Sequence, residues 1–294
     1  MSTQAGGRDS GVGLVVNCYE RTVRRVLSPG FFPRVAEENQ HSFAEVVALI
    51  NNVDDPQHAR RLADALVDRG EITSYALVSD HLEAALAHAG LPRRTLRRRP
   101  FLLDYGLVMP HVVSTPWLLG WDAETRLPRP RNWVEPAIAL LKSEPHIFHA
   151  SLAWPTLSDE DPGYAAEEVS RLGPWSLNWG FSDQLFLVRA ADLRRPVYRH
   201  WTAAAYTRHA PHPYTFEYRV ESYQRWSGRL RATLSDVSYT TNTIPGGVLG
   251  RTGGGAIDHL RIRLLHRVEN AVLNRLPAAV GPRWTKRGAP PSRL

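Results

Sequence analysis

The first half of the chain alternates short apolar runs with segments of helical periodicity. The predicted elements, in order, are strand 12–17, helix 20–27, strand 43–50, helix 56–69, strand 74–78, helix 81–89 and strand 117–119. Parallel strands need a long crossover between them, usually a helix, so this alternation predicts a largely parallel sheet in an α/β fold. In open sheets of this kind, ligands bind beyond the carboxyl ends of the strands. We therefore expect functional side chains directly after each strand.

Polar side chains do follow each predicted strand. They are Cys18, Tyr19 and Glu20 after the first, Asn52, Asp54 and Asp55 after the second, Asp80 after the third, and Asp122 and Glu124 after the fourth. We expect Gly120 and Trp121 to bring the chain out of the fourth strand at its carboxyl edge. Buried charges are costly unless a cation or polar groups compensate them. Either a turn places Asp122 and Glu124 in water, or the two carboxylates hold a cation.

The second half of the chain is less regular. Its predicted elements are helix 133–142, strand 147–152, an acidic loop over 158–173, strand 186–189, helix 216–228 with an aromatic stripe, and an amphipathic helix over 257–276. Six glycines in residues 246–255 predict a segment without stiffness. We predict a flexible leader over 1–11, one domain over 12–245 with halves at 12–125 and 126–245, the glycine-rich loop, and a helix with a basic tail over 256–294.

Composition excludes several classes of protein. A chain of 294 residues with 43% hydrophobic residues can bury a large core, and its one cysteine excludes an intramolecular disulfide framework or a cysteine-rich zinc site. The uncharged run over residues 106–121 contains two prolines and is short for a spanning helix. The leader has no apolar core of the signal-peptide type. These features predict a cytoplasmic protein.

The net charge of +7 raises the question of nucleic-acid binding. Residues 97–99 are the only tight arginine triplet, the other arginines are scattered, and no nucleic-acid-binding signature is present. We therefore predict no nucleic-acid partner. A solvated basic face, an anionic small substrate or an acidic membrane surface would account for the same charge.

Three segments, taken in order, resemble the glycosyltransferases of the GT-A fold, most closely the family 2 type. They are NCYERTVRRVL and LINNVDD, which resemble nucleotide-binding turns, and WLLGWDAE at the position of the DXD motif. The resemblance covers about residues 12–242. It implies a Rossmann-like, three-layer α/β/α sandwich with a mostly parallel central sheet, here with a C-terminal helical extension. It also implies a metal-dependent, hexosyltransferase-type enzyme that moves a sugar from a nucleotide-diphosphate sugar to an acceptor hydroxyl, with inversion.

In such an enzyme, Asp122 and Glu124 would hold Mg²⁺ or Mn²⁺. A divalent cation shared between carboxylates and phosphates neutralises the charge that develops on the diphosphate leaving group. We assign Glu124 to the metal and Asp122 to the metal or the ribose. The alternative is a solvated loop in which Asp122 caps a turn.

Several residues are expected to contact the nucleotide sugar. They are Cys18, Tyr19, Glu20, Asn52, Asp54, Asp55, Asp80, Asp122 and, in the glycine-rich loop, Arg251 as a phosphate clamp. Asp54 is preferred for the base or ribose, because Asp55 before a proline is also a good helix cap. Tyr19 would stack on the base or pack in the core. The loop around Arg251 would be a lid or an inert linker.

An inverting transfer needs a general base, for which the sequence offers Glu217 and Asp183. Glu217 opens a helix much as the family's Glu-Asp motif does, although the chain reads Phe-Glu, and we favour it slightly. Asp183 lies among aromatic residues that should raise its pKa, and Trp179 and Phe181 could stack on an acceptor sugar. Either acid could instead be a helix or turn cap. Residues 238–242 lack the late histidine common in the family.

The acceptor is a glycan, a lipid-linked molecule or a small molecule. The helix over 257–276 could pair two subunits as a homodimer, lie on the inner membrane face or pack in the core of its own chain. A second class of function fits the same fold, namely a nucleotide- or carbohydrate-binding protein without catalysis. Fold alone does not separate the two classes.

Overall fold

The computed structural model describes residues 11–96, 100–153, 168–209 and 214–241, together with the single positions 264 and 272. The predicted leader up to residue 10, the glycine-rich segment and, apart from those two positions, the predicted C-terminal helix and tail lie outside the described residues. Their assignments, including the role of Arg251, stay predictions. No helix of the described ranges combines the length and the apolar composition needed to cross a membrane.

The described ranges contain a regular set of strands and helices. The strands are β1 (Val12–Cys18), β2 (Glu45–Ile50), β3 (Ser74–Leu77), β4 (Trp117–Asp122), β5 (Thr125–Arg126), β6 (Ile147–Ala153), β7 (Glu168–Leu172), β8 (Trp175–Asn178), β9 (Leu185–Arg189), β10 (Leu230–Ser238) and β11 (Thr240–Thr241). The α-helices are α1 (Val23–Val26), α2 (Phe31–Asn39), α3 (Pro56–Asp68), α4 (Val78–Ala89), α5 (Asp104–Val108), α6 (Val134–Ser143), α7 (Ala190–Arg194), α8 (Ala203–Arg208) and α9 (Phe216–Ser227).

A nine-stranded sheet forms the centre of the described fold, in the order β3-β2-β1-β4-β9-β6-β10-β8-β7. Parallel pairing joins β3, β2, β1 and β4, and also β6 and β10. The strands β9 and β8 run antiparallel to their neighbours. The sheet is therefore mostly parallel, as predicted, with two reversed strands in its second half. A separate ribbon pairs β5 with β11.

Apolar clusters cover both faces of this sheet. Residues of α1, α2, α3 and α6 pack against one face, and residues of α4, α5, α7 and α9 pack against the other. Along β4, Leu119 and Trp121 face the first cluster and Leu118 faces the second, as the two-residue period of a strand requires. These layers confirm the predicted three-layer α/β/α sandwich with its mostly parallel central sheet.

Several element boundaries differ from the sequence prediction. The helix predicted over 20–27 is the four-residue α1, because residues 19–22 form a turn in which the Tyr19 N–H donates to the Thr22 hydroxyl at 2.9 Å. The sequence pattern did not predict α2. Its proline, Pro33, lies in the first turn of the helix, where a missing N–H costs no hydrogen bond. The end of the predicted acidic loop is the edge strand β7, and β8 was also missed.

The fourth strand is longer than predicted, and Gly120 lies inside it. Gly120 and Trp121 do not lead the chain out of the sheet, because both pair with β9. A Cβ atom at position 120 would lie 2.3 Å from Cζ of Phe186, so only glycine allows this close approach. Asp122 is consequently the last residue of the strand itself.

Gly120→Ala should destabilise the protein by about 1–3 kcal/mol, the usual cost of forcing a methyl group into a filled core. The measurement is the free energy of unfolding in urea. Phe186→Leu in the same background should recover part of the loss, since the two changes act on one contact. Additive losses in the double variant would contradict the close approach as the cause.

Candidate functional site

The candidate site lies at the edge of the sheet where the parallel strands β1 to β4 end. Because β9 is antiparallel to β4, its first residue lies at this same edge, and the residues that precede it arrive beside Asp122. The Asp122 N–H donates to the main-chain oxygen of Gln184 at 2.8 Å. The reversed strand thus brings Asp183, the neighbour of Gln184, to the predicted DXD position.

Asp122 and Glu124 form a tight acidic turn after β4. The Glu124 N–H donates to Oδ1 of Asp122 at 2.8 Å, and the side chains of Glu124 and Tyr19 share a hydrogen bond. Burial, together with the negative charges of Asp183 and Glu124, raises the pKa of Asp122 to about 7. Burial and the negative charges of Glu124 and Asp122 raise the pKa of Tyr19 to about 12. A cation at the turn would relieve this concentration of negative charge.

The acidic turn fits a cation that is shared with a ligand. Among the described residues, no group of three or more His, Cys, Asp or Glu side chains is placed to hold a metal ion. The protein therefore offers two carboxylates, Asp122 and Glu124, and an ion would complete its coordination with phosphate oxygens and water. Mg²⁺ and similar hard cations bind in this manner. Asp122 also caps the turn by accepting the Glu124 N–H, as the alternative of a turn-capping aspartate predicted.

The two candidate bases meet next to the acidic turn. The Asp183 N–H donates to Oε1 of Glu217 at 3.2 Å, and the side chains of the two acids are also hydrogen-bonded. The buried hydroxyl of Tyr105 donates to the Asp183 carboxylate. Burial raises the pKa of Asp183, as its aromatic surroundings predicted, although the bonds from Tyr105 and Glu217 oppose this. Two carboxyl groups in such contact favour a state in which one of them holds a proton.

A buried set of charged residues continues from this pair into the core. His209 Nε2 lies 2.9 Å from Oε2 of Glu221, and its Nδ1 lies 3.8 Å from Oε2 of Glu217. The guanidinium of Arg225 reaches Oε1 of Glu221 at 2.7 Å, and both of these side chains are fully buried. Arg225 therefore neutralises Glu221, and His209 links that ion pair to the candidate base Glu217.

A cavity of about 460 Å³, here called the larger cavity, opens at the ends of β2 and β3. Asn51, Asn52 and Asp104 supply polar groups to its wall. Asn51 donates to Oδ1 of Asp104 at 2.9 Å, and burial raises the pKa of this carboxyl. Asn52 has a left-handed backbone with φ of 46°, a conformation that asparagine adopts more readily than most residues.

A smaller cavity of about 300 Å³ lies beside Glu20, Asp54 and Asp55. The Asp54 N–H donates to Oε2 of Glu20 at 2.7 Å, so these two predicted nucleotide contacts are neighbours. Asp55 caps α3 by accepting the His58 N–H at 2.9 Å, and this bond lowers its pKa. Asp55 thus has the structural role that its place before a proline also predicted.

Neither of two further predicted contacts, Cys18 and Asp80, lines one of the two cavities. Cys18 is fully buried, and burial raises the pKa of its thiol to about 12, so only its main chain could face a nucleotide. The side chain of Asp80 is on the surface and pairs with Arg60 at 2.6 Å. Of its neighbours, Ser79 lines the larger cavity.

The predicted aromatic platform for an acceptor sugar is corrected by the structure. Trp179 and Phe181 are 0% and 1% exposed. The ring of Phe181 packs against Phe186 and Phe216, with centroids 4.9 and 5.1 Å apart, because the chain before β9 turns inward onto α9. Both rings are packed in the core and do not offer a face to a sugar.

Sequence reasoning missed three residues that the structure places at the site, namely Asp104, Tyr105 and His209. Asp104 is an isolated acid in the apolar stretch FLLDYGLV, and it is 3% exposed. The same reasoning that singled out Asp122, an acid among apolar residues, would have found it. No local signal marks Tyr105 or His209, whose partners are distant along the chain.

No protein-family model matches the sequence, and no curated protein matches it. Among solved structures, the chain is similar to GalNAc-T7 with UDP, GalNAc and Mn²⁺ at 10% identity and a TM-score of 0.46, covering 79% of this chain and 43% of that one. It is also similar to glucosyl-3-phosphoglycerate synthase from Mycobacterium tuberculosis with Mn²⁺, UDP and phosphoglyceric acid, at 11% identity and a TM-score of 0.43, covering 86% and 77% of the two chains.

A third similar structure is the mannosyltransferase PcManGT from Pyrobaculum calidifontis with GDP-Man and Mn²⁺, at 14% identity and a TM-score of 0.44, covering 86% of this chain and 64% of that one. The chain spans less than half the length of the GalNAc-T7 structure.

Asp122→Asn should stabilise the metal-free protein, and more so at pH 8 than at pH 5. The folded pKa of Asp122 is about 7, against 3.8 for an unperturbed carboxyl. Between these values the folded state holds a proton that the unfolded chain has released, so stability falls as the pH rises through this window. We expect the gain from the substitution to grow by on the order of 1–3 kcal/mol from pH 5 to pH 8.

The measurement is urea denaturation of both proteins in the presence of a chelator. Asp80→Asn is the matched control, since Asp80 is exposed and its pKa is lowered, and its effect should not change between these two pH values. A gain for Asp122→Asn that is equal at both pH values would contradict the raised pKa.

Proposed function

We propose that the protein is a metal-dependent glycosyltransferase that moves a sugar from a nucleotide-diphosphate donor to an acceptor hydroxyl. One observation carries the proposal: four carboxylates from three parts of the chain converge at the carboxyl edge of the sheet. They are Asp122, Glu124, Asp183 and Glu217. One pair suits a cation and a diphosphate, and the other suits proton transfer at the acceptor.

The larger cavity is proposed to take the nucleoside. Its volume of about 460 Å³ lies within the range of ligand sites in proteins, about 300–1,000 Å³. Asn51, Asn52 and Asp104 could pair with the edge of a base, and apolar residues such as Leu77 and Leu96 could contact its face. The diphosphate would then extend toward Asp122 and Glu124.

Asp122 and Glu124 would hold Mg²⁺ or Mn²⁺, which when bound neutralises charge on the leaving diphosphate. The chain fixes both ligands in advance. The Glu124 N–H orients the Asp122 carboxylate, and the hydrogen bond with Tyr19 orients that of Glu124. Preorganised ligands of this kind lose little energy to rearrangement when the charge develops.

Asp183 and Glu217 would supply the general base. When the pair holds one proton between its two carboxyl groups, the remaining charge can accept the proton of the acceptor hydroxyl. Tyr105 anchors Asp183, and the Glu217 side chain remains 29% exposed, which favours Glu217 as the group that reaches the acceptor. Attack from the face opposite the diphosphate would invert the anomeric centre. The cytoplasmic location and the contacts of the C-terminal helix stay predictions.

Glu124→Gln should abolish the metal-dependent part of nucleotide binding. Calorimetry with UDP, GDP and CDP, with and without Mn²⁺, should show at least one nucleotide that binds more tightly with the metal in the wild type. The exposed Glu37 on α2 provides the control Glu37→Gln, which should keep this metal effect. A metal effect of equal size in Glu124→Gln would remove the carboxylate from the metal site.

Asp183→Asn and Glu217→Gln should each lower turnover by about 10²–10⁴-fold, the usual contribution of general base catalysis. The readout is release of nucleoside diphosphate from a panel of UDP- and GDP-sugars, where water can replace the acceptor, with nucleotide affinity measured in parallel. Affinity should be retained in both variants. If turnover is unchanged in both variants, neither acid is the general base. If the wild type binds nucleotide tightly without turnover, the non-catalytic alternative is supported.

A further inference from the structure

Two arginines, Arg34 and Arg126, share the buried carboxylate of Glu38. Nε of Arg126 lies 2.6 Å from Oε1 of Glu38, and Nε of Arg34 lies 3.5 Å from the same oxygen. The other oxygen of Glu38 accepts the Leu127 N–H at 2.9 Å. Both oxygens of the only carboxylate in this group are therefore already engaged.

A third arginine, Arg25, is close enough for its charge to act on Arg34. Burial lowers the pKa of Arg34, and the positive charges of Arg126 and Arg25 lower it further. Nε and Nη2 of Arg34 are buried and have no hydrogen-bond acceptor among the described residues. Three guanidinium groups with one carboxylate leave an excess of two positive charges in a half-buried place. Such an excess is unfavourable unless an anion compensates it.

The arginine side chains of this group are partly exposed, whereas its carboxylate is buried. The side chains of Arg34 and Arg126 are 26% and 34% exposed, whereas that of Glu38 is 6% exposed. The ring of Phe31 lies 4.6 Å from the guanidinium carbon of Arg34 and supports it. Arg126 is held in the ribbon of β5 and β11. The arginines therefore need little ordering before they bind a ligand.

The basic group borders the acidic turn. Arg126 follows Glu124 by two residues, and the charge of Arg25 acts on Asp122. Arginine suits planar and tetrahedral oxyanions because its fork can donate two parallel hydrogen bonds. We propose that Arg25, Arg34 and Arg126 form an oxyanion site for a phosphoryl group. That group is either part of the donor diphosphate or a phosphate carried by the acceptor.

Only the choice between those two sources rests on the proposed function. The oxyanion site itself is tested with inorganic phosphate as the probe, titrated by calorimetry into the full chain at low ionic strength without divalent metal. Arg34→Gln and Arg126→Gln should each weaken phosphate binding about tenfold or more, the loss expected for one charge-assisted hydrogen bond. The exposed Arg129, three residues after Arg126, provides the control Arg129→Gln, which should bind phosphate as the wild type does.

Glu38→Gln should shift phosphate affinity in the opposite direction. It removes the negative charge that competes with the anion, while its amide oxygen can still accept the Leu127 N–H. Tighter phosphate binding in this variant, in a protein that still unfolds cooperatively, is the result that a merely structural role of the arginines would not give. It also decides the question if the arginine variants fail to fold. Unchanged phosphate affinity in Arg34→Gln and Arg126→Gln, or weaker binding in Glu38→Gln, would overturn the proposal.

Competition then identifies the source of the phosphoryl group. Displacement of phosphate by UDP or GDP with Mn²⁺ would place the donor diphosphate on the arginines. Simultaneous binding of phosphate and nucleotide would assign the arginines to a phosphorylated acceptor, and both results support the oxyanion site. If the protein binds phosphate through the arginines but binds no nucleotide, the oxyanion site stands and the proposed function is wrong.

Discussion

The antiparallel pairing of β9 with β4 places Asp183 beside the acidic turn. It depends on a close contact between Gly120 and the ring of Phe186, and it ends with the Asp122 N–H donating to Gln184. A parallel strand in that place would end at this edge, and the residues that precede it would lie at the opposite edge of the sheet. The reversal instead delivers Asp183 from the chain that precedes β9. One packing constraint inside the sheet thus joins the acidic turn to the second pair of acids.

Much of the first half of the fold could be predicted from the sequence, because buried strands leave apolar runs and each run ends in polar residues. The acids after β4 and before β9 were found for the same reason. The direction of β9 was not predictable, since an apolar run has the same appearance in either orientation. The bond between Tyr105 and Asp183 joins residues 78 positions apart, and that between Arg126 and Glu38 joins residues 88 apart. Contacts of this kind depend on the completed fold and leave no local pattern.

Charge is separated across the site, and neither side is neutral by itself. Asp122, Asp183 and Glu217 concentrate negative charge toward α5 and α9, whereas Arg25 and Arg34 concentrate positive charge toward α1 and α2. Folding could have neutralised both groups by pairing them directly, as Arg225 does with Glu221. This separation of charge lowers the stability of the unliganded protein. Such a cost in stability is expected at a functional site.

The same separation limits which molecules can compensate both groups together. A cation alone would relieve the acids and leave the arginines in excess, and a simple anion would do the reverse. A ligand that carries phosphoryl oxygens and brings a divalent cation with it satisfies both, because the cation lies against the carboxylates while an oxyanion faces the arginines. The electrostatics therefore favour a phosphorylated ligand with its metal over either ion alone, and they do so on observations independent of the DXD-like spacing of Asp122 and Glu124.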